Sequence, residues 1–359
     1  MVLTVASNIG NDVPNAQRCP PAGVPPHVQL IQIGLAIWPA RAVYAAAELG
    51  IADLLADGPR EIEEIAHKTG THVRSLSRLM RALASCGIVE EIRPGRFSNT
   101  TLGDALRDSA PGAARATILT IAGSWQWKAW DQFLHALRTG ESGVKAAFGK
   151  DLFEFLSDEP VHSSRFNDAM VGMHGAVAPA IVAAYDFSHA RTIVDVGGGK
   201  GALLAEILKA RPKMTGVLFD LPETEKHARD YLAESGLGER CAFQAGDFFE
   251  RLPSGHDAYV LAHVLHDWVD NDAIAILRKC REAMPAHGRL LIVEAVLPDG
   301  NVPHHGKLMD LLMLTVTGGV ERSQDEFAQI LAQAGFRLGC VHPTTTHQSI
   351  IEAFPCDQG

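Results

Sequence analysis

The sequence has 359 residues, of which 47% are hydrophobic and 21% are charged, so it can form the large core of a two-domain globular protein. Its net charge of −10 disfavours a protein whose main task is binding nucleic acid, because neutralising phosphates requires a basic surface. The six cysteines include no Cys-x-x-Cys pair, and residues 1–15 resemble neither a signal peptide nor a membrane span, so we expect reduced thiols and a cytoplasmic protein.

The first predicted region is residues 1–26, which are rich in Asn, Gly and Pro and too poor in apolar residues to fold alone. We therefore predict a disordered arm. From His27 the apolar residues follow a helical spacing, and charged residues are absent from Val28 to Ala40. A helix that is apolar on most sides needs cover, which a homodimer would supply.

Residues 61–97 have the pattern of two short helices joined by a turn and followed by a β-hairpin. This pattern predicts a winged helix within an N-terminal domain of residues 27–110. The second helix carries Arg74, Arg78 and Arg81, which would contact phosphates in a DNA-binding protein. Because glutamates surround these arginines in the sequence, we favour a dimerisation domain without a nucleic-acid partner. A ligand-sensing transcription regulator is the alternative.

Residues 111–187 are predicted to be helical, and three of the five tryptophans of the chain lie within six positions of this segment. Helix packing and the wall of a pocket for a flat aromatic substrate explain these aromatic residues equally well. The candidates for such a wall are Trp130, Phe166, Met170 and Met173.

From Arg191 onward, strand and helix patterns alternate, which predicts an α/β domain with a doubly wound parallel sheet. With the preceding helices it forms the second predicted domain, residues 111–359. Strands are predicted at 192–196, 216–219, 241–245 and 289–293. A further strand begins at Ala258 and is expected to deliver His266 and Asp267 at its carboxyl end, where such sheets bind ligands.

The first of these strands is followed by Gly197, Gly199 and Gly201, which open a helix. Their backbone N–H groups can therefore face a ligand without obstruction by a Cβ atom. The spacing also fits the fingerprint of NAD-binding proteins, and Asp220, about 20 residues further on, would hold a ribose in either case.

Two features favour S-adenosylmethionine over NAD. Asp195 stands just before the glycines, where a carboxylate suits the cationic aminoacyl end of a sulfonium cofactor better than it suits a pyrophosphate. Asp247 and Phe248 follow the third strand and offer an acceptor for an adenine amino group and an apolar cover for its ring.

Five motifs follow one another along the chain, at residues 194–201, 219–222, 246–249, 266–268 and 318–322. Together they resemble the caffeate/acetylserotonin-type S-adenosylmethionine-dependent O-methyltransferases, over nearly the whole chain from His27. The resemblance implies a Rossmann-like class I methyltransferase domain behind a winged-helix dimerisation domain, and a homodimer. It also implies S-adenosylmethionine as cofactor, S-adenosylhomocysteine as product, and methyl transfer to a hydroxyl, with a phenolic group on a small aromatic or polyketide-like secondary metabolite as the expected acceptor.

The same resemblance implies roles for individual residues. His266 is the expected general base, Glu294 and Glu321 flank and orient it, and Asp267 lines the acceptor site. An imidazole with an ordinary pKa near 6.5 would be largely neutral at working pH and able to accept the proton. The cofactor would contact residues of the first three strand ends, namely Asp195, Gly197, Gly199, Asp220, Leu221, Gly246, Asp247 and Phe248.

A metal site at His263, His266 and Asp267 is the competing interpretation. On a strand, residues three apart point to opposite faces, so we predict no metal and interpret His263 as a structural core residue. His304 and His305 follow Pro303 and are expected to be solvated.

Two positions depart from the family pattern. Ala262 stands where the family often has a lysine, and Met173 stands where plant members carry a pocket histidine, with His174 beside it. These departures affect the expected cofactor affinity and the expected substrate more than the reaction type. N-methylation, or a homologue that binds the cofactor without transferring methyl, remains the enzymatic alternative.

Overall fold

The structure is a computed structural model, and it describes residues 24–175 and 177–356, without the side chains of residues 171 and 173–175. Most of the predicted arm, residues 1–23, therefore lies outside the described residues. The chain divides into two compact units between Trp38 and Pro39. The predicted domain boundary at residue 110 remains a prediction.

The described residues form 18 α-helices. They are α1 (Pro26–Leu35), α2 (Ile37–Glu48), α3 (Ile51–Leu54), α4 (Ile62–Thr69), α5 (Val73–Ser85), α6 (Thr101–Asp104), α7 (Ala114–Ile121), α8 (Ser124–Asp131), α9 (Phe133–Thr139), α10 (Gly143–Phe148), α11 (Leu152–Asp158), α12 (Pro160–Gly175), α13 (Val177–Ala184), α14 (Ala202–Ala210), α15 (Glu225–Glu234), α16 (Asp270–Ala283), α17 (Gly306–Val316) and α18 (Gln324–Gln333). Short 3₁₀ turns are formed by Phe187–His189, Pro222–Thr224 and Leu265–Asp267.

The strands, again in chain order, are β1 (Arg60–Glu61), β2 (Val89–Arg93), β3 (Arg96–Asn99), β4 (Thr192–Val196), β5 (Thr215–Asp220), β6 (Cys241–Ala245), β7 (Ala258–Ala262), β8 (Arg289–Glu294), β9 (Val296–Leu297), β10 (Arg322–Ser323), β11 (Phe336–Pro343) and β12 (Ser349–Pro355).

The first unit consists mainly of α1, whose apolar side chains Leu30 and Ile33 are 71% and 73% exposed; Trp38, at the start of α2, is 67% exposed. The stretch Pro26–Glu48 is long and apolar enough to cross a membrane, by length and composition alone. The core helix of a soluble protein or a signal sequence would meet the same description. The expectation that this region needs cover agrees with the exposed apolar surface.

The second unit contains the predicted winged helix, which follows α2 and α3. Helices α4 and α5 are joined at Gly70, and β2 and β3 form the antiparallel hairpin that closes at Gly95. Ile65, Met80 and Phe97 bring the helices and the hairpin into one buried cluster. The three arginines of α5 are exposed. This helix–turn–helix and hairpin arrangement is confirmed.

The central sheet has seven strands in the order β11-β12-β8-β7-β4-β5-β6. Strands β4 to β8 are parallel, as predicted, whereas β11 and β12 are antiparallel additions that the sequence analysis did not predict. The strand order reverses between β4 and β7, and this switch point opens a crevice at the carboxyl ends of the strands.

Side chains of β4 alternate between two buried layers that cover the sheet. Val194 packs with α16 and α18 on one face, and Ile193 packs with α13, α14 and α15 on the other. Burial on both faces explains the continuous apolar runs in the strand sequences. It also holds the carboxyl ends of the strands, and the side chains that follow them, in a rigid layer.

Candidate functional site

The loop between β4 and α14 requires glycine for two physical reasons. Gly199 has φ of +57°, and its amide donates to Oδ2 of Asp220 at 2.7 Å. A Cβ atom on Gly198 would lie 2.5 Å from the carboxylate of Asp195, closer than any side chain can approach. The loop therefore packs its backbone directly against two acidic side chains.

Asp195 is 1% exposed, and within the described residues neither of its carboxylate oxygens has a well-formed hydrogen bond. Burial, together with the charge of Asp220, raises the pKa of Asp195 to about 7, and the nearby Leu204 amide only partly opposes this. A buried carboxylate without a partner is costly, and a cationic ligand group would relieve that cost. The site therefore fits the cationic end of the implied cofactor.

The other predicted cofactor residues lie at the ends of β5 and β6. The Leu221 amide donates to Oδ1 of Asp220 at 2.7 Å, and the Phe249 amide donates to Oδ1 of Asp247 at 2.8 Å. Burial raises the pKa of Asp220. The ring of Phe248 would lie 3.6 Å from a Cβ atom on Gly197, so it covers the glycine loop.

Gly246, which precedes these residues, lies against the Phe219 ring, 2.6 Å from where its Cβ atom would be. Because β4, β5 and β6 are adjacent and parallel, the structure brings all eight predicted cofactor residues to one edge of the sheet.

The second part of the site surrounds His266. Its Nδ1 lies 2.8 Å from Oε1 of Glu321, and its backbone amide donates to Oε1 of Glu294 at 3.0 Å. Its Nε2 lies 3.9 Å from Oδ1 of Asp267. The side chains of His266 and Glu321 are 12% and 1% exposed, and Glu294 is fully buried. The structure thus brings the three predicted catalytic residues and Asp267 together.

The electrostatics of this cluster differ from the sequence expectation of an ordinary imidazole. Burial alone would lower the pKa of His266, but the charges of Asp267, Glu321 and Glu294 outweigh burial and raise it to about 10. Burial raises the pKa of Asp267 to about 6 and that of Glu294 to about 7, although His266 opposes both shifts. In the protein alone the imidazole therefore holds its proton at neutral pH.

The expected position of His266 at the end of a strand was wrong in one respect. Strand β7 ends at Ala262, and His266 lies in the 3₁₀ turn Leu265–Asp267. His263 between them has φ of +55°, which breaks the strand geometry. The alternation rule therefore does not apply across this segment.

The interpretation of His263 as a hydrogen-bonded core residue agrees with its contact to Gln348 but not with full burial. Its ring centroid lies 5.6 Å from that of His266, its side chain is only partly buried, and its Nδ1 lies 3.4 Å from Nε2 of Gln348. Gln348 is 5% exposed and belongs to a loop that the sequence analysis did not select. Gln348 directly precedes strand β12, which was not predicted and which pairs with β8, so this strand brings the glutamine to the site.

Arg322 is a second residue of the site for which no role was predicted, although it belongs to the motif 318–322. It is 1% exposed and contacts the turn that carries His266. The available signal was the position of Arg322 directly after Glu321, a predicted site residue. If such a glutamate is buried, a neighbouring charge is expected to be paired.

The residues predicted to form the substrate wall lie on α8 and α12. Phe166 packs into the aromatic cluster of α8 and α11, and Trp130 lies against Phe133 with ring centroids 5.2 Å apart. Met170 is half-buried on α12, and the side chain of Met173 lies outside what the structure describes. An ion pair of 2.9 Å between Asp168 and Lys200 joins α12 to the glycine loop.

Among the described residues, potential metal ligands come close together at Cys340, His342 and Glu352 on β11 and β12. Glu352 already accepts hydrogen bonds from Tyr185 at 2.6 Å and from Arg289 at 2.9 Å. A guanidinium at that distance disfavours a second cation. His304 is half-buried and His305 is exposed, so the expectation that both are solvated holds for His305 alone.

Comparison with known proteins finds two family models in the chain. An O-methyltransferase dimerisation domain matches residues 33–109, and an O-methyltransferase domain matches residues 127–337. The phenazine O-methyltransferase PhzM of Lysobacter antibioticus is 45% identical over 326 residues, which cover 91% of this chain and 95% of that protein.

Other relatives carry different names. An 8-amino-8-demethylriboflavin N,N-dimethyltransferase of Streptomyces davaonensis is 36% identical over 90% of this chain and 94% of that protein. The aclacinomycin 10-hydroxylase RdmB of Streptomyces purpurascens is 36% identical over 83% of this chain and 81% of that protein.

Solved structures agree with the family models. The crystal structure of LaPhzM has a TM-score of 0.89 at 45% identity and covers 92% of this chain and 100% of that chain. The O-methyltransferase NcsB1 from neocarzinostatin biosynthesis, in complex with S-adenosylmethionine and 2-hydroxy-5-methyl naphthoic acid, has a TM-score of 0.78 at 36% identity. That match covers 88% of this chain and 95% of that chain.

Proposed function

Because the chain belongs to the family of S-adenosylmethionine-dependent O-methyltransferases, we propose that it methylates a phenolic hydroxyl of a small aromatic or polyketide-like secondary metabolite, with His266 as general base. The observation that carries this proposal is the contact of 2.8 Å between Nδ1 of His266 and Glu321, with the His266 amide held by Glu294. Relatives named for phenazine and naphthoic acid compounds support an aromatic acceptor.

The cofactor supplies a methyl group on a positively charged sulfur, already activated for displacement. The residues proposed to hold it are those at the ends of β4 to β6. Asp195 binds the cationic aminoacyl end, the glycine loop offers its backbone amides, and Asp220 accepts from the ribose hydroxyls. Asp247 and Phe248 bind and cover the adenine, and Leu221 and Gly246 complete the wall.

The base works through its second nitrogen. With Nδ1 protonated and donating to Glu321, Nε2 of His266 accepts the proton of the acceptor hydroxyl. The carboxylates of Glu321 and Glu294 stabilise the imidazolium that forms, and this stabilisation increases the driving force for proton removal. Because the pKa of His266 is raised, only the fraction of enzyme in which His266 is neutral can accept this proton.

The acceptor is proposed to lie between this base and the helices of the second domain. Asp267 borders the base, and Trp130, Phe166, Met170 and Met173 are the proposed wall for its aromatic ring. The half-buried position of Met170 and the ion pair that joins α12 to the glycine loop support this placement. Trp130 has the weakest support, since its described ring contact is with Phe133.

The N-terminal domain is proposed to form the homodimer. Its apolar first helix is exposed, and the family model that matches residues 33–109 is a dimerisation domain. We expect the enzyme to work in the cytoplasm, without a nucleic-acid or membrane partner.

The test is a replacement of His266 by Ala, assayed with methyl-labelled cofactor and a panel of hydroxyphenazines, hydroxynaphthoic acids and simple phenols. We expect turnover to fall by about 100-fold or more, because a general base contributes at least that factor. Cofactor binding measured by calorimetry should persist. Replacement of the exposed His287 by Ala is the matched control, and full activity of H266A would contradict the base role.

N-methylation is the second candidate, because a relative named as an N,N-dimethyltransferase is 36% identical over most of the chain. A neutral aromatic amine attacks through its lone pair and needs no base before attack. If the natural acceptor is an amine, aminoarenes added to that panel will be turned over by wild type and by H266A at similar rates.

A further inference from the structure

Arg322 is the largest fully buried side chain among the described residues, with 1% exposure. It begins strand β10, which pairs with β9 beside the end of β8. Removing a guanidinium from water is costly, and the cost is offset only when its N–H donors are all used in good geometry. The acceptors of these donors therefore show which part of the protein the guanidinium stabilises.

The donors bind both sides of the turn that carries the base. Nη1 donates to the carbonyl of Leu265 at 3.0 Å, and Nη2 donates to the carbonyl of Trp268 at 2.8 Å. Nε and Nη2 also donate to Oδ1 of Asp270 at 3.0 and 2.9 Å. Leu265 and Trp268 immediately flank His266 and Asp267, so one planar group spans the whole turn.

The residues before Arg322 contact the same turn through the backbone. The Val320 amide donates to the carbonyl of His266 at 2.9 Å. A Cβ atom on Gly319 would lie 2.0 Å from that carbonyl oxygen, so only glycine permits this approach. Segment 319–322 therefore holds the His266 backbone, its ring through Glu321, and both flanking carbonyls.

We propose that Arg322 is a positioning residue that fixes the Leu265–Asp267 turn and thereby aims Nε2 of His266 at the acceptor hydroxyl. The proposal rests on the proposed base role of His266. A 3₁₀ turn makes few hydrogen bonds of its own, and the strained backbone at His263 precedes it. Without the hydrogen bonds from Arg322 to the two flanking carbonyls, the imidazole keeps its contact with Glu321, but the orientation of its Nε2 is no longer fixed.

The experiment uses the full-length enzyme with Arg322→Lys. A lysine keeps the positive charge but cannot span two carbonyls in a plane. We expect kcat to fall by about 10- to 100-fold, because a displacement of about 1 Å at a reacting group can cost 100-fold. The cofactor dissociation constant and the KM of the acceptor should change by less than about threefold, since the altered interaction acts at the reacting proton.

Two further variants separate position from folding. Gly319→Ala displaces the same turn without changing any charge, and it should reproduce the selective loss of kcat. Arg289→Lys is the matched control, because Arg289 also donates to a buried carboxylate, that of Glu352, but lies at the start of β8, away from the site. It should lower the melting temperature with kcat unchanged.

The decisive measurement is the double variant H266A/R322K. If Arg322 acts through His266, the lysine adds no loss once the imidazole is absent. Independent, multiplicative losses would overturn the proposal, as would an unchanged kcat in R322K or an equal loss of cofactor binding and turnover. Full activity of H266A alone would instead contradict the proposed function, so the two failures are distinguishable.

Discussion

At the ends of β5 and β6 the acidic side chains accept from backbone amides, two of them within two residues along the chain and one, that of Gly199, 21 residues away. After β7, in contrast, a histidine is held by carboxylates 28 and 55 residues away. At the cofactor edge, Asp195 is buried without a well-formed partner, and burial raises its pKa. At the base, three carboxylates crowd one imidazole, and their charges raise its pKa.

The comparison indicates how each half works. The proposed cofactor edge holds a buried carboxylate without a well-formed partner, which suits the binding of a cation. The proposed base cluster contains its own counterions, which suits the holding and release of a proton. Substitutions in the first half should therefore change cofactor affinity, and substitutions in the second half should change turnover.

The largest expected effect is on the binding half. Replacing Asp195 with Asn removes the buried partner of the cationic cofactor group, and breaking such a pair costs roughly 3 kcal/mol. We expect the cofactor dissociation constant from calorimetry to rise by about 100-fold, with kcat at saturation little changed.

The pKa of Asp195, about 7, adds a pH signature. Wild-type affinity should increase as pH rises through 7, because the carboxylate must be ionised to bind a cation, and D195N should lose this dependence. Asp186→Asn, at an exposed aspartate, is the control. An unchanged dissociation constant in D195N would break the division of the site into binding and proton-transfer halves.

The next effect is on the proton-transfer half. If His266 is the base, as proposed, turnover requires its neutral form. Because the pKa of His266 is raised, kcat/KM should still increase with pH above 6.5, the ordinary pKa of histidine. Glu321→Gln removes one carboxylate that raises this pKa. The acid limb of the profile should therefore move to lower pH, while the plateau falls by about 10-fold or more because the imidazolium is less stabilised.

This result is read from kcat/KM profiles between about pH 5 and 10, with Glu282→Gln at the exposed end of α16 as control. A limb that stays in place in E321Q would show that Glu321 does not interact with the base.

The smallest effect concerns the link between the pocket helices and the glycine loop. The Lys200–Asp168 pair is partly exposed, and such pairs contribute only about 0–1 kcal/mol. Lys200→Met should therefore lower the melting temperature by no more than a few degrees and change cofactor affinity at most a few-fold. A rise of more than about 10-fold in the dissociation constant would mean that α12 is coupled to the cofactor edge.

The cofactor edge was predictable because its signals are local. Gly197 to Gly201 follow an apolar strand directly, and Asp220 and Asp247 follow the next two strands, so topology alone brings them together. The winged helix was predictable for the same reason, since the turn at Gly70 and the hairpin at Gly95 are short-range features.

The sequence identified the residues that lie together around His266, but it did not predict the backbone geometry that places them there. The run from Ala258 to Leu265 is apolar apart from His263, and apolar residues continue beyond Ala262, so its pattern does not mark the end of β7 or the left-handed backbone of His263. Those features depend on distant partners, among them Arg322 and Glu294. The raised pKa of His266 follows from three-dimensional crowding of acids, which spacing along the chain does not reveal.

The resting proton on His266 has a kinetic consequence. The charges that raise the pKa of His266 also slow the transfer of its proton to water. If His266 is the base, as proposed, each cycle ends with the discharge of the proton taken from the acceptor. Small buffer bases that reach the 12% of this side chain exposed to solvent would then act as co-catalysts, and we expect the turnover rate to depend on the concentration of buffer as well as on pH.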